Sequence, residues 1–145
     1  MMRVMGLFHV TAHLTGPTGR SETIEVLVNT GATFLVIPRA LAERLELRAT
    51  RTCPIQTAGG REEAWPLAEV RLRLDGHEVT TPCLISADGP ALLGAVALES
   101  LLLAADPVGR RLVPVKGFVG ASPRSVDAAA AVHQERLARH EVALV

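Results

Sequence analysis

The chain is poor in aromatic residues, with no Tyr, one Trp and three Phe among 145 residues. Single-stranded nucleic acids are held on platforms of stacked aromatic side chains, so this composition argues against such a role. Hydrophobic residues nevertheless make up 48% of the chain. The core must therefore be aliphatic, and the length is enough for one compact domain that buries about two thirds of its unfolded surface.

Net charge is also absent, because fifteen basic and fifteen acidic residues cancel. The chain thus has no general attraction to nucleic acids or to anionic membrane surfaces. The longest apolar run, residues 90–105, is interrupted by Gly94, Glu99 and Ser100 and is too short to span a bilayer. The first residues lack the continuous apolar region of a signal peptide, so we expect none.

Cysteine is scarce as well, with Cys53 and Cys83 alone in the sequence. The pair could form one disulfide, but two buried free thiols in a cytosolic protein are the favoured interpretation. No spacing of Cys and His resembles a zinc site. We therefore expect a cytoplasmic protein that needs neither a metal ion nor another cofactor.

Apolar and polar residues alternate over most of the first two thirds of the chain, which predicts strands. Residues 8–14 and 22–28 form a predicted hairpin around the turn cluster 15–19. Further strands are predicted over residues 34–37, 51–57, 61–65, 68–74, 78–86 and 111–115, with Asp75-Gly76 as a hairpin turn. Short helices are predicted from Pro38, taken as a first helical residue, and over residues 95–102. Many short strands favour an all-β barrel or sandwich.

The C-terminal tail has a different composition. Residues 117–121 are small and suggest a linker, and Ser122-Pro123 is typical of a helix start. A weakly amphipathic helix is predicted from Arg124 to about His140. We therefore predict a domain over residues 1–116, followed by a linker and C-terminal helix over 117–145.

Four separated segments carry a resemblance to a known family. They are Leu-Val-Asn-Thr-Gly-Ala-Thr at residues 27–33, Ala58-Gly59-Gly60 about thirty residues later, Leu92-Leu93-Gly94 before the second predicted helix, and Leu112-Val113-Pro114 in the last strand. In this order they resemble bacterial retropepsin-like aspartic proteases over about residues 3–116. The resemblance implies a closed β-barrel with short helices, a homodimer, and a peptide or unfolded protein as substrate.

The same resemblance assigns catalytic roles to the first segment. Asn29 occupies the position of the catalytic Asp. Thr30 would bind across the dimer axis and hold the two turns together, and Gly31 would let the backbone approach the substrate closely.

Substrate binding falls, by resemblance, to residues on both sides of a groove. Ala32 and Thr33 would support the catalytic turn beside the substrate. Ala58, Gly59 and Gly60 would form the tip of a flap that closes over a bound peptide, which would add to the protein as an extra strand.

Aspartic proteases need two carboxylates that share one proton, because two like charges so close together cannot both ionise. This chain has only one such turn, so the pair requires two chains related by a twofold axis. A carboxamide does not take up a proton near neutrality, and the chain with Asn29 is expected to be inactive.

Asn29 leaves three hypotheses for the function of the chain. We favour a deliberate Asp→Asn change in an aspartic endopeptidase. A natural pseudoprotease that binds or scaffolds peptides as a dimer is the alternative. The third is an unrelated small barrel in which Asn-Thr-Gly is merely a turn.

Some neighbouring residues have less specific expectations. Val36, Ile37 and Leu84 are candidate walls of a substrate subsite, although we favour core positions for them. We expect Trp65 to make an ordinary core contact at the base of the flap, and Glu62-Glu63 to form a solvated edge.

Overall fold

The computed structural model describes residues 6–120, and the elements below are those of this part of the chain. The strands are β1 (Gly6–Thr15), β2 (Ser21–Asn29), β3 (Leu35–Pro38), β4 (Arg51–Gln56), β5 (Glu62–Leu74), β6 (His77–Ser86), β7 (Leu92–Leu93), β8 (Leu103–Asp106) and β9 (Arg111–Pro114). The helices are α1 (Arg39–Arg44) and α2 (Ala95–Leu101).

Six of these strands form a ring. The sheet runs in the order β1, β2, β7, β3, β6, β5, and β1 also pairs with β5. The closing pair is short, with residues 13–15 opposite residues 71–73. Strand β4 is attached outside the ring, to β5 alone. The predicted all-β barrel with short helices is therefore confirmed.

The inside of the ring is filled by aliphatic side chains, as the composition predicts. Strand alternation places one face of each strand inward. Fully buried side chains come from every part of the ring and include Leu14, Val28, Leu35, Leu72 and Leu93. Phe8 is the aromatic residue of this main core.

The two predicted hairpin turns are present. Residues 15–20 join β1 to β2, and the Gly16 N–H donates to the Arg20 carbonyl at 2.8 Å. Asp75 and Gly76 join β5 to β6 with φ values of 50° and 80°. Positive φ at both central residues is the geometry that matches the twist of two antiparallel strands, which explains the Asp-Gly sequence.

Strand β5 differs from the prediction of two strands over 61–65 and 68–74. It is one strand of 13 residues that runs through Pro66. Its first half pairs with β4, and its pairing with β6 begins only at Leu67. The missing N–H of Pro66 therefore costs the β6 ladder nothing, and the fixed φ of proline suits an extended backbone.

The start of α1 lies one residue later than predicted. Pro38 is extended, with φ −73° and ψ 154°, and is the N-cap residue rather than the first helical residue. Leu41 and Leu45 are buried and belong to the main core.

Strand β8 was not predicted. Helix α2 ends where Leu102 adopts a left-handed conformation, with φ 58° and ψ 47°. Residues 103–106 then pair with β9 in a separate two-stranded sheet. Glycine usually marks such a helix end, and a Leu in this position leaves no signal in the sequence.

The chain after Val115 belongs to a second unit. Of its described residues, Phe118 and Val119 are almost fully exposed. The predicted helix from Arg124 to His140 lies outside the described residues, so the boundary at residue 116 stays a prediction. In the described part of the chain, no helix has the length and apolar character needed to cross a membrane.

Both cysteines are free, as predicted, but their surroundings differ. Cys83 is fully buried in the main core, whereas Cys53 is only half-buried. Burial raises the pKa of the Cys83 thiol to about 12. Because the thiolate is the reactive form, Cys83 is protected both by packing and by protonation.

We predict that an aromatic disulfide reagent at about pH 8 modifies Cys53 of the native chain and reaches Cys83 only after unfolding. The release of thiolate is followed by absorbance, and the modified residue is identified by peptide mass. The Cys53→Ser variant should lose the fast phase, and the Cys83→Ser variant should keep it. Fast modification of Cys83 in the folded chain would contradict the prediction.

Candidate functional site

The turn at the end of β2 fixes the side chain of Asn29. Its Oδ1 accepts a hydrogen bond from the Gly31 N–H at 3.0 Å. Its backbone carbonyl accepts a second one from the Ala32 N–H, also at 3.0 Å. Asn29 is half-buried, while Thr30 and Gly31 are exposed. The turn thus holds one polar side chain in a set orientation at an accessible edge of the ring.

The turn is supported by the start of α2. The Ala95 N–H donates to the Ala32 carbonyl and the Val96 N–H to the Thr33 carbonyl, both at 2.8 Å. These are N–H groups of the first helical turn, which have no partner inside the helix. The role expected for Ala32 and Thr33 in supporting the loop therefore has a geometric basis in their carbonyl groups.

Gly94 allows this close contact. A Cβ atom at Gly94 would lie 2.3 Å from the Phe34 carbonyl oxygen and 2.6 Å from that of Ala32. Strand β7 precedes it and pairs in parallel with β2, so that Leu93 lies opposite Val28. The Leu92-Leu93-Gly94 segment thus packs directly beside the turn.

The hairpin between β4 and β5 carries the other predicted site residues. Its exposed tip is formed by Ala58, Gly59 and Gly60. The Gly60 N–H donates to the Thr57 carbonyl at 2.9 Å, and Gly60 has a φ of 89°. Gly60 therefore has a conformational reason to be glycine, since a φ in this range strains other residues.

A second hydrophobic cluster links the two parts of the site. It consists of buried Val36, Leu67 and Leu84 and of half-buried Phe34, Cys53, Ile55, Trp65 and Leu92. We call this set the lateral cluster, because it is separate from the main core of the ring. Phe34 and Leu92 belong to the segments that pack around the turn, and Ile55 and Trp65 belong to the hairpin. The lateral cluster is therefore a wall shared by the turn and the hairpin.

The candidate wall residues divide between the main core and the lateral cluster. Ile37 belongs to the main core, as favoured. Val36 and Leu84 belong to the lateral cluster, together with Trp65. Sequence reasoning did not propose Ile55 for this wall. Its signal would have been the alternation of half-buried Cys53 and Ile55 with exposed neighbours along β4.

Trp65 makes a specific polar contact in addition to its packing. Its Nε1–H donates to Glu63 Oε1 at 2.7 Å, and the Arg61 guanidinium donates to Glu63 Oε2. These hydrogen bonds, first that of Trp65 and then that of Arg61, lower the pKa of the Glu63 carboxyl. Glu63 is therefore engaged by two neighbours and is more than the solvated edge that was expected.

Within residues 6–120, no three His, Cys, Asp or Glu side chains are grouped so that they could hold a metal ion. The polar groups of the turn are the amide of Asn29, the hydroxyls of Thr30 and Thr33, and the backbone groups around them.

One comparison with known proteins identifies a family. The sequence matches the family described as aspartyl protease over residues 10–101. Among solved structures, 254 chains match. No curated protein sequence matches the chain significantly.

Two of the structural matches are viral proteases. EIAV protease complexed with the inhibitor HBY-793 is 20% identical, with a TM-score of 0.56, over 78% of this chain and 98% of that one. Simian Foamy Virus (mac) protease is 22% identical, with a TM-score of 0.48, over 63% of this chain and 91% of that one. At such identities the EIAV match shows the fold alone.

We predict that Gly94→Ala lowers the free energy of unfolding by about 1–3 kcal/mol or more, because the new methyl group must displace two backbone carbonyls. Urea unfolding followed by circular dichroism measures the change. Gly59→Ala is the matched control, since its methyl group would meet only the Thr57 hydroxyl, at 3.9 Å. Equal stability of the two variants would show that the turn is not held as tightly as described.

Proposed function

Because the chain belongs to the aspartyl protease family, we propose that it has the scaffold of an aspartic endopeptidase. In this proposal two copies of the chain pair their position-29 side chains. Asn29 leaves the chain as given unable to hydrolyse peptide bonds. The observation that carries the proposal is the fixed side chain of Asn29, held by the Gly31 N–H within the matched region. The retropepsin-like fold of the ring supports it.

The reaction of the parent scaffold follows from the chemistry of a carboxylate pair. One carboxylate takes a proton from a bound water molecule while the other, protonated, donates to the scissile carbonyl oxygen. The two groups titrate as a unit, since they share one proton. An Asp at position 29 would accept the same hydrogen bond from Gly31 through one oxygen and keep the other for this chemistry.

Asn29 preserves the geometry and removes the chemistry. Its amide oxygen fills the acceptor role toward Gly31, but the group stays neutral and neither takes up nor releases a proton near neutrality. Thr30 and Gly31 keep the roles implied by the resemblance, in dimer contact and in close approach of substrate. This holds whether the substitution is engineered or natural.

A second copy is required because the matched region contains one such turn. A twofold axis places identical groups beside each other, which is what a pair of position-29 side chains needs. We propose that the β8–β9 hairpin takes part in this contact. Gly6 lies opposite Asn29 in the β1–β2 ladder, and Arg110 in the β8–β9 turn donates to the Leu7 carbonyl at 3.2 Å. The hairpin is thus tied to the strand position beside the turn.

Two exposed apolar residues support the proposal that the β8–β9 hairpin takes part in the dimer contact. Leu102 and Val115 flank β8 and β9, and the Val115 N–H donates to the Leu102 carbonyl at 2.9 Å. Their side chains are 46% and 42% exposed. Burying these two side chains against a second copy would remove apolar surface from water, which favours association.

Substrate would bind as an extended chain between the turn and the β4–β5 hairpin. Ala32 and Thr33 on one side and Ala58, Gly59 and Gly60 on the other would offer backbone groups to it, as in strand addition. The lateral cluster would contact its apolar side chains. We therefore propose peptides or unfolded proteins as the ligand class.

A natural peptide-binding dimer without hydrolysis is the second candidate. Asn29 itself favours it, because its amide can hold the turn through the Gly31 N–H without supplying a group that exchanges protons. The two candidates differ in what a carboxylate at position 29 would do.

We predict that Asn29→Asp creates cleavage of an unfolded protein such as casein, with a rate gain on the order of 100-fold or more over the Asn29 chain. Activity should lie at acidic to neutral pH and fall as the shared proton is lost at higher pH. Fragments are measured by mass spectrometry, and Asn29→Ala is the inactive control.

The outcomes separate the candidates. If Asn29→Asp binds peptides as tightly as the Asn29 chain and cuts nothing, the binding dimer is the function. If neither chain binds or cuts peptides, the proposed function is wrong.

We predict that the Leu102→Asp and Val115→Asp double variant shifts the chain from dimer to monomer in sedimentation velocity, because the charges cannot be buried unpaired. Ala40→Asp, an exposed position on α1, is the control and should leave the dimer intact. A monomeric parent chain, or a double variant that stays dimeric, would contradict the proposed surface.

A further inference from the structure

Arg61, Glu63 and Trp65 form a line along the hairpin that leads from its tip to the lateral cluster. They are alternate residues at the start of β5 and the loop before it, so their side chains leave the same face of the hairpin. Trp65 lies opposite Cys53 and Glu63 opposite Ile55 in the β4–β5 ladder. Both cross-strand partners belong to the lateral cluster.

The tip end of this line is anchored by the turn. The Arg61 N–H donates to Thr57 Oγ1 at 3.3 Å, and the Thr57 N–H donates to the Arg61 carbonyl at 2.8 Å. The Arg61 guanidinium then reaches one oxygen of Glu63. The carboxylate is therefore placed by a residue whose own backbone closes the hairpin.

The other end of the line fixes an aromatic ring. An indole has a single N–H donor, so the 2.7 Å bond to Glu63 Oε1 selects one orientation of the ring among those its two side-chain torsions permit. The ring is half-buried against the lateral cluster, to which Phe34 and Leu92 also belong. Its orientation determines how much space remains along this wall.

We propose that Trp65 is the specificity-determining residue of the groove and that Glu63 is the positioning residue that orients it. The inference rests on the proposed peptide-binding function and names the side chain that selects among ligands. Trp65 is the largest side chain of the lateral cluster, so in this proposal its ring limits the room left for a side chain of the ligand. We therefore expect aliphatic side chains of the size of Val or Leu to bind better than larger aromatic ones. Without Glu63 the ring is free to turn, and this preference weakens.

Trp65 provides its own spectroscopic signal, because it is the one Trp of the chain. Its emission maximum and anisotropy therefore report on this ring alone. The variants are Glu63→Ala, which removes the acceptor, and Glu63→Gln, which keeps an amide oxygen for the indole and loses the charge that faces Arg61. Glu62→Ala is the matched control, since Glu62 is exposed and points away from the line.

We expect Glu63→Ala to shift the emission to longer wavelength and to lower the anisotropy, with Glu63→Gln intermediate and Glu62→Ala unchanged. Binding is measured by calorimetry on the Asn29 chain with end-blocked heptapeptides that differ in one central residue, Val, Leu or Phe. The preference for Val and Leu over Phe should fall about fivefold in Glu63→Ala, the effect of one hydrogen bond. In Trp65→Leu the order should reverse in favour of Phe.

The outcomes distinguish this inference from the proposed function. Peptide binding with the same emission and the same preference in Glu63→Ala would overturn the positioning role, and an unchanged preference in Trp65→Leu would overturn the specificity role. Absence of binding by every peptide to both the Asn29 chain and Asn29→Asp would overturn the proposed function together with this inference. Circular dichroism of each variant shows that the fold is kept.

Discussion

The attachment of α2 to the turn after β2 is the constraint on which the site depends. Two N–H groups of the helix start bind the carbonyls of Ala32 and Thr33. A methyl group at Gly94 would overlap the carbonyl oxygens of Ala32 and Phe34. Helix N–H groups need external partners, and here the turn supplies them. The same contacts anchor the turn that carries Asn29 and the end of β7, so the position of this turn and the place of β7 in the ring have one structural origin.

The contacts that hold this turn would be the same with either Asn or Asp at position 29. The bonds that hold the turn are made by backbone groups and by one side-chain oxygen, and Asn and Asp both supply such an oxygen. The two residues differ in their second polar atom, which is a nitrogen in Asn and an oxygen in Asp. Only the carboxyl group of Asp gains and loses a proton near neutral pH. Structure and chemistry are therefore separable at this position, and a folded chain says nothing by itself about turnover.

The division of apolar residues into two clusters has a comparable importance for the proposed binding of peptides. The main core closes the ring, while the lateral cluster lies between the ring and the β4–β5 hairpin. Ile37 and Val36 are neighbours in the chain and belong to different clusters, because successive side chains of a strand leave opposite faces. Hydrophobicity alone predicts that both are buried, but only the pairing of β3 with its neighbours decides which cluster each one joins.

Local patterns in the sequence determined much of the fold: the alternation of β1 and β2, the Asp-Gly turn, the paired hydrophobics before Gly94 and the segment around Asn29 all depend on neighbours within a few residues. Tertiary structure decided three other features. They are the continuity of β5 through Pro66, the strand β8 after a left-handed Leu102, and the hydrogen bond between Trp65 and Glu63. Each depends on which distant strand lies alongside or on how a side chain is oriented. Such contacts contribute their free energy only when the chain has closed into its ring, so they leave no local pattern in the sequence.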